Sequence, residues 1–253
     1  MSAVHYEVDR AIATITLDFP ENRNALSSAL VGELGTHLRN AADDPDIRAV
    51  VLTHAGGTFC AGADLKEQAS EGGPAIGTRR MLDLLHLIIE LPKPVLARVD
   101  GHVRAGGIGL VGASDIAIAG PRATFAFTEV RLGLAPAIIS LTTLGRMTER
   151  AAARYYLTGE TFDAPAALAA GLVTIATDDV ESATSDVCAA LRSCSPQGLA
   201  ETKPLTTART RAAFEGYAGA MQALSQRLFE SEEAGEGMAA FLQKRPPRWV
   251  PEA

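Results

Sequence analysis

Aromatic side chains are scarce in this sequence: Phe, Trp and Tyr together make up 5% of it, while hydrophobic residues as a whole reach 47% against 21% charged. A core built on that stock must come from Ala, Val, Leu and Ile, the ordinary composition of a soluble α/β protein. A basic surplus is also missing. The 23 Lys and Arg are outnumbered by 30 Asp and Glu, for a net charge of -7. Without excess positive charge to neutralise phosphates broadly, nucleic-acid and anionic-membrane partners are set aside, although a local basic patch for one anionic ligand stays open. No unbroken apolar stretch reaches the roughly 18 residues of a membrane span, and Met1 to Arg10 carries no charged-then-apolar leader. The expected location is the cytoplasm. Cysteine is rare as well: Cys60, Cys188 and Cys194 leave one thiol over in any disulfide scheme, and no Cys or His cluster has metal-ligand spacing. Reduced thiols and no metal site are expected. Cys60 adjoins a motif described below, but no nearby His is placed to activate it as a nucleophile.

What is present is a strand and helix rhythm. The 253 residues suffice for one large domain, or a main domain with a smaller appendage. Tyr6, Val8, Ile12, Ile15 and Leu17 alternate on either side of Asp9-Arg10, which predicts an N-terminal β-hairpin. From Ser27, Leu30, Leu34, Leu38 and Ala41 recur at helical spacing until Asp43-Asp44-Pro45. A strand over 47–53, a helix over 78–90, a strand over 95–99, a helix opening at Gly106-Gly107 and a strand over 115–119 follow. This ββα or βα alternation predicts a layered α/β fold with parallel crossovers. After a strand at 173–176 only helices are expected, over 180–193, 196–203, 207–229 and 232–243. A change of region is therefore placed near residue 195, with 1–195 as the α/β core and 196–253 as a helical region whose apolar faces need a partner.

Two glycine-containing segments are the candidates for chemistry. Phe59-Cys60-Ala61-Gly62-Ala63-Asp64-Leu65-Lys66-Glu67 follows a strand and opens a helix; its small residues allow close backbone approach, and Asp64 can cap the helix. Asp100-Gly101-His102-Val103-Arg104-Ala105-Gly106-Gly107-Ile108-Gly109 also joins a strand to a helix, where free N–H groups can receive negative charge. Its spacing is GGxG and not GxGxxG, so a dinucleotide fingerprint fails.

With Glu21-Asn22-Arg23-Asn24-Ala25-Leu26 before them, and Glu232 to Arg245 near the end, these segments resemble the enoyl-CoA hydratase/isomerase (crotonase) superfamily. They match its N-R-x-A-L, F-x-A-G-A-D-L, G-x-x-x-G-G-G and E-x-x-E-G-x-x-A-F-x-x-K-R patterns in order and separation. The resemblance implies a spiral of ββα units with a C-terminal helical oligomerisation region, assembled as a homotrimer or a dimer of trimers. It implies an acyl-CoA thioester as ligand and no separate cofactor, coenzyme A being part of the substrate. By motif position, the backbone N–H groups of Ala63 and Gly106 would form an oxyanion hole for the thioester oxygen. Ala61 and Leu65 would flank the CoA, Arg23, Ala25 and Leu26 would line its pantetheine side, and Asp64, Gly107 and Gly109 complete the substrate-binding set.

Hydratases of the family generally carry two glutamates. Here Phe125 to Leu134 keeps the second, as Glu129, whereas Gly109 stands at the first position. Glu129 is thus the implied acid/base, with a pKa raised by an apolar cleft. One carboxyl suits an enoyl-CoA isomerase or a hydrolase as well as a hydratase, and a non-catalytic acyl-CoA-binding member is a further alternative. Glu67, Asp64 or Glu90 could stand in for the missing acid, although Asp64 reads as a cap and Glu90 as a helix-surface charge. His102 reads as a structural donor. Arg104 could fork onto an acidic group or face solvent, and Lys244 and Arg248 could reach CoA phosphates or be solvated.

Overall fold

The computed structural model describes residues 2–70 and 74–251. The predicted hairpin is present as β1 (Val4–Asp9) and β2 (Ile12–Leu17), paired antiparallel. Helix α1 (Ser28–Asp43) starts where Ser27 accepts a hydrogen bond from the Leu30 N–H, and it buries Leu30, Leu34, Leu38 and Ala41 as their spacing requires. There follow β3 (Ala49–His54), β4 (Thr58–Cys60), α2 (Leu65–Ser70), α3 (Pro74–Glu90), β5 (Val95–Val99), β6 (His102–Arg104), α4 (Gly106–Ala113) and β7 (Ile116–Ala119). The chain continues with β8 (Thr124–Ala126), a 3-10 turn (Thr128–Leu132), α5 (Ala137–Thr143), α6 (Glu149–Thr158), β9 (Phe162–Asp163), α7 (Ala164–Ala170) and β10 (Ile175–Ala176). Four helices end it: α8 (Val180–Arg192), α9 (Pro196–Thr206), α10 (Ala208–Phe229) and α11 (Glu232–Leu242).

Six strands form one sheet in the order β1-β2-β3-β5-β7-β10, parallel from β2 onward. Its central strands are apolar on both faces, as parallel strands under helical crossovers must be. Val50, Leu52, Val95, Ala97 and Val99 point into the main core, while Ala49, Val51 and Leu96 alternate onto the other face against Cys188 of α8.

A second, four-stranded sheet, β4-β6-β8-β9, was not anticipated from the sequence. Its strands are two or three residues long, too short to show a period. β4, β6 and β8 run parallel and adjacent, so the segments leaving their carboxyl ends, 61–64, 105–106 and 127–132, emerge side by side. Ligands of open parallel sheets bind at that end.

The C-terminal helices pack onto the core. Phe214 of α10 belongs to the main apolar cluster. Lys203 of α9 is buried, its ammonium 2.9 Å from Asp115 Oδ2 and donating to the carbonyls of Ile88 and Lys93 at 2.8 and 3.0 Å.

Candidate active site

Small residues let two loops touch backbone to backbone. Gly62 has φ +93°, and a Cβ built on it would lie 2.9 Å from Ala105 Cβ and 3.6 Å from the Gly106 nitrogen. A Cβ on Gly106 would in turn meet Leu26 Cδ1 at 2.8 Å and Gly62 Cα at 3.9 Å. The 23–26 segment stitches the first loop in place: Ala61 N–H donates to Arg23 O at 3.1 Å and Leu26 N–H to Gly62 O at 2.8 Å. Those bonds leave the Ala63 N–H uncommitted among the described residues. On the other loop Ala105 takes φ 46°, ψ -119°, a conformation that strains a residue with a Cβ. That turn brings Gly106 to the first position of α4, where a helix N–H has no partner within its own helix.

Beside these loops opens a cavity of about 690 Å³. Ala63, Gly106 and Glu129 all line it. So do Arg23, Ala25, Leu26, Ala61, Asp64 and Leu65, the residues expected to hold the CoA. Gly107 and Gly109 stand behind this wall instead. A Cβ on Gly107 would strike Cys60 Cβ at 2.7 Å, and one on Gly109 would strike Ile139 Cγ2 at 2.5 Å, with Met81 Cε 3.2 Å away. These two glycines serve close packing of α4, and no glutamate side chain has room at 109.

Glu129 sits in the 3-10 turn, which Gly133 closes in the left-handed conformation (φ 72°). Backbone contact with α11 braces the turn: a Cβ on Gly237 would lie 2.5 Å from the Leu132 carbonyl carbon, and one on Gly133 2.6 Å from that of Glu233. The Glu129 Oε2 atom is buried with no hydrogen-bond partner. Burial in this apolar setting pushes its pKa up to about 7.

The other candidate acids are engaged elsewhere. Asp64 accepts from the Lys66 N–H at 3.0 Å and from the Asn22 side chain at 2.7 Å, and so caps α2 as expected. Glu67 accepts from the Ser28 N–H at 2.6 Å at the head of α1. Glu90 lies off the cavity and pairs with Arg211 at 2.8 Å.

Arg104 lines the cavity, yet its guanidinium donates to Thr124 O at 2.7 Å and Thr124 Oγ1 at 3.0 Å, tying β6 to β8. His102 is exposed, with Nδ1 2.7 Å from Thr124 Oγ1. Cys60 is fully buried, and desolvation pushes its thiol up to about 12, which removes it as a nucleophile. In the tail, Arg245 and not Lys244 or Arg248 reaches the cavity, and its guanidinium holds Glu236 at 2.6 Å. Met81, Thr78, Ile138, Ile139 and Ser225 also line the cavity. Sequence reasoning passed over them, and only the helical spacing of Thr78 and Met81 hinted that they share a face.

An uncommitted Ala63 N–H, the first N–H of α4 and a buried carboxyl thus line one cavity, groups of the kind that can polarise a carbonyl and move a proton. Comparison with known proteins supplies the family: the model described as enoyl-CoA hydratase/isomerase matches residues 7–252. An enoyl-CoA hydratase structure from Mycobacterium avium is 51% identical, with a TM-score of 0.92, covering 99% of this chain and 100% of that one. A carnitinyl-CoA hydratase structure from Mycobacterium avium is 31% identical, with a TM-score of 0.88 and 99% of each chain covered. The zebrafish (Danio rerio) enoyl-CoA hydratase domain-containing protein 3, mitochondrial, is 31% identical over 260 residues, 96% of this chain and 86% of that protein. The chain belongs to the enoyl-CoA hydratase/isomerase family, with the crotonase α/β fold, and is an acyl-CoA enzyme of the lyase or isomerase class.

Proposed function

We propose that the protein grips the carbonyl oxygen of an acyl-CoA thioester with the N–H groups of Ala63 and Gly106 and moves a proton with Glu129 as its only acid/base. Ionised Glu129 takes a proton from the α-carbon of a 3-enoyl-CoA. The electron pair spreads to the thioester oxygen, where the two donors stabilise it, and Glu129 returns the proton to the γ-carbon to give the 2-enoyl-CoA. The overall reaction is a double-bond shift, and one carboxyl suffices for it. The observation that carries this reading is the isolation of Glu129: it has a free buried oxygen, while Asp64 and Glu67 cap helices and Ile139 fills the space beside Gly109. A second reading, hydration of a 2-enoyl-CoA, is favoured by the names of the relatives. It asks Glu129 to orient and deprotonate water as well as to protonate carbon.

Arg23 at the cavity mouth supplies positive charge for the CoA end, and Ala25, Leu26, Ala61 and Leu65 supply an apolar track for the pantetheine. Coenzyme A arrives as part of the substrate, with no separate cofactor. Exposed Leu205 and Tyr217, 76% and 62% accessible on α9 and α10, support assembly through the C-terminal helices into trimers or pairs of trimers. Three free thiols suit the cytoplasm.

Assaying 3-hexenoyl-CoA isomerisation and crotonyl-CoA hydration side by side tests the reading. Faster isomerisation that disappears in Glu129→Gln is expected. Dominant hydration moves the assignment to hydratase, release of free CoA moves it to hydrolase, and unchanged turnover in Glu129→Gln removes Glu129 from the mechanism.

A further inference from the structure

Two nearly buried hydroxyls stand among the residues that line the cavity. Thr78 on α3 and Ser225 on α10 both line it, are 5% and 8% exposed, and approach each other at 3.4 Å. Among the described residues neither hydroxyl has another partner. Three other buried hydroxyls on helices return to a backbone carbonyl one turn back: Ser114 to Leu110 at 2.9 Å, Thr184 to Val180 at 2.7 Å and Thr207 to Lys203 at 2.8 Å. Thr78 and Ser225 make no such bond among the described residues, and both line the cavity. Their mutual contact is long beside the usual O–H···O separation of about 2.7–2.8 Å. That contact uses one proton and one lone pair, and leaves one proton and three lone pairs free for a group in the cavity.

Their place along the cavity follows from α3. Met81, one turn further along, packs against the position of Gly106, where the thioester oxygen is proposed to lie. Thr78 is three residues earlier on the same face, roughly 4.5 Å along the axis. We propose that Thr78 and Ser225 form a specificity subsite for a hydroxyl group carried on the acyl chain a few carbons beyond the thioester. A hydroxyl both donates and accepts, so it uses the spare proton and a spare lone pair together, and it needs no counter-charge. A plain alkyl chain leaves both hydroxyls desolvated and unserved, and is selected against for that reason. The inference rests on the thioester reading above.

The test is a ladder of ω-hydroxy-3-enoyl-CoA esters, each compared with the unsubstituted ester of equal length, on the wild-type protein, Thr78→Val, Ser225→Ala and the double variant. Thermal melts check that each variant is folded. At one chain length the wild type is expected to favour the hydroxylated ester at least tenfold in kcat/KM. Each single variant should lose most of that preference, and the double variant should favour the plain ester. Equal or better use of the plain ester at every length, or a hydroxyl preference that survives in the double variant, overturns the subsite. Calorimetric binding of the same esters gives the comparison independently of turnover. Absence of CoA-ester binding altogether strikes down the thioester reading, and the subsite with it.

Discussion

The turn at Thr128–Leu132 and the first turn of α4 lie at the same cavity and are built in opposite ways. The turn keeps a carboxyl whose burial is uncompensated, and α11 is pressed against its backbone to hold it there. The helix carries no side chain at 109, and Ile139 closes the space so tightly that even a methyl would collide. Burial alone raises the Glu129 carboxyl to a pKa of about 7.

The contrast breaks most sharply at Glu129. Glu129→Gln is expected to lower kcat about a thousandfold, within the range for a positioned acid/base, with KM little changed in steady-state assays. Next comes the loop contact. Gly62→Ala forces a Cβ into Ala105 at 2.9 Å and strains a left-handed backbone, so the two donors separate. A roughly hundredfold fall in kcat follows if one donor is lost, read against unchanged binding of free CoA. On the filled side, Gly109→Ala should cost about 1–3 kcal/mol by overpacking against Ile139, measured by urea denaturation. Gly109→Glu should yield hydratase activity only when Ile139 is shortened to Ala at the same time.

pH sharpens the same comparison. Because Glu129 must be ionised to take the first proton, kcat/KM for isomerisation should rise with pH and level off above about 7, and a falling profile would oppose that role. The smallest effect is on stability. A carboxyl raised from 4.5 to about 7 favours the folded state below its unfolded value, and that contribution fades as pH climbs through 7. Glu129→Gln should therefore melt above the wild type at pH 8, with no such gain at pH 4.

Much of this was legible in the sequence where signals are long. Leu30, Leu34 and Leu38 announced α1, and α8, α10 and α11 lie within a residue or two of their expected bounds. Strand β5 lies where Val95–Val99 placed it. Helix α3 begins four residues earlier than expected, at Pro74, a residue suited to a first helical turn. The second sheet and helices α5 to α7 were not read, since strands of two or three residues hold no period and α5 is buried nearly all round. The glycine loops and Glu129 could be named from motifs. That Ile139 fills the space at Gly109 could not, nor could the pairing of Thr78 with Ser225 across 147 positions, because both depend on the packing of distant helices.

Lys203 carries a consequence for how the protein is made. Its ammonium is the counter-charge for Asp115 at the start of β7, yet it is synthesised almost ninety residues later. A nascent chain still lacking α9 holds that carboxylate in a half-built interior without its cation, a deficit of about 3–5 kcal/mol once the site is buried. Residues 1–195 taken alone would thus keep Asp115 without its cation, which α9 supplies.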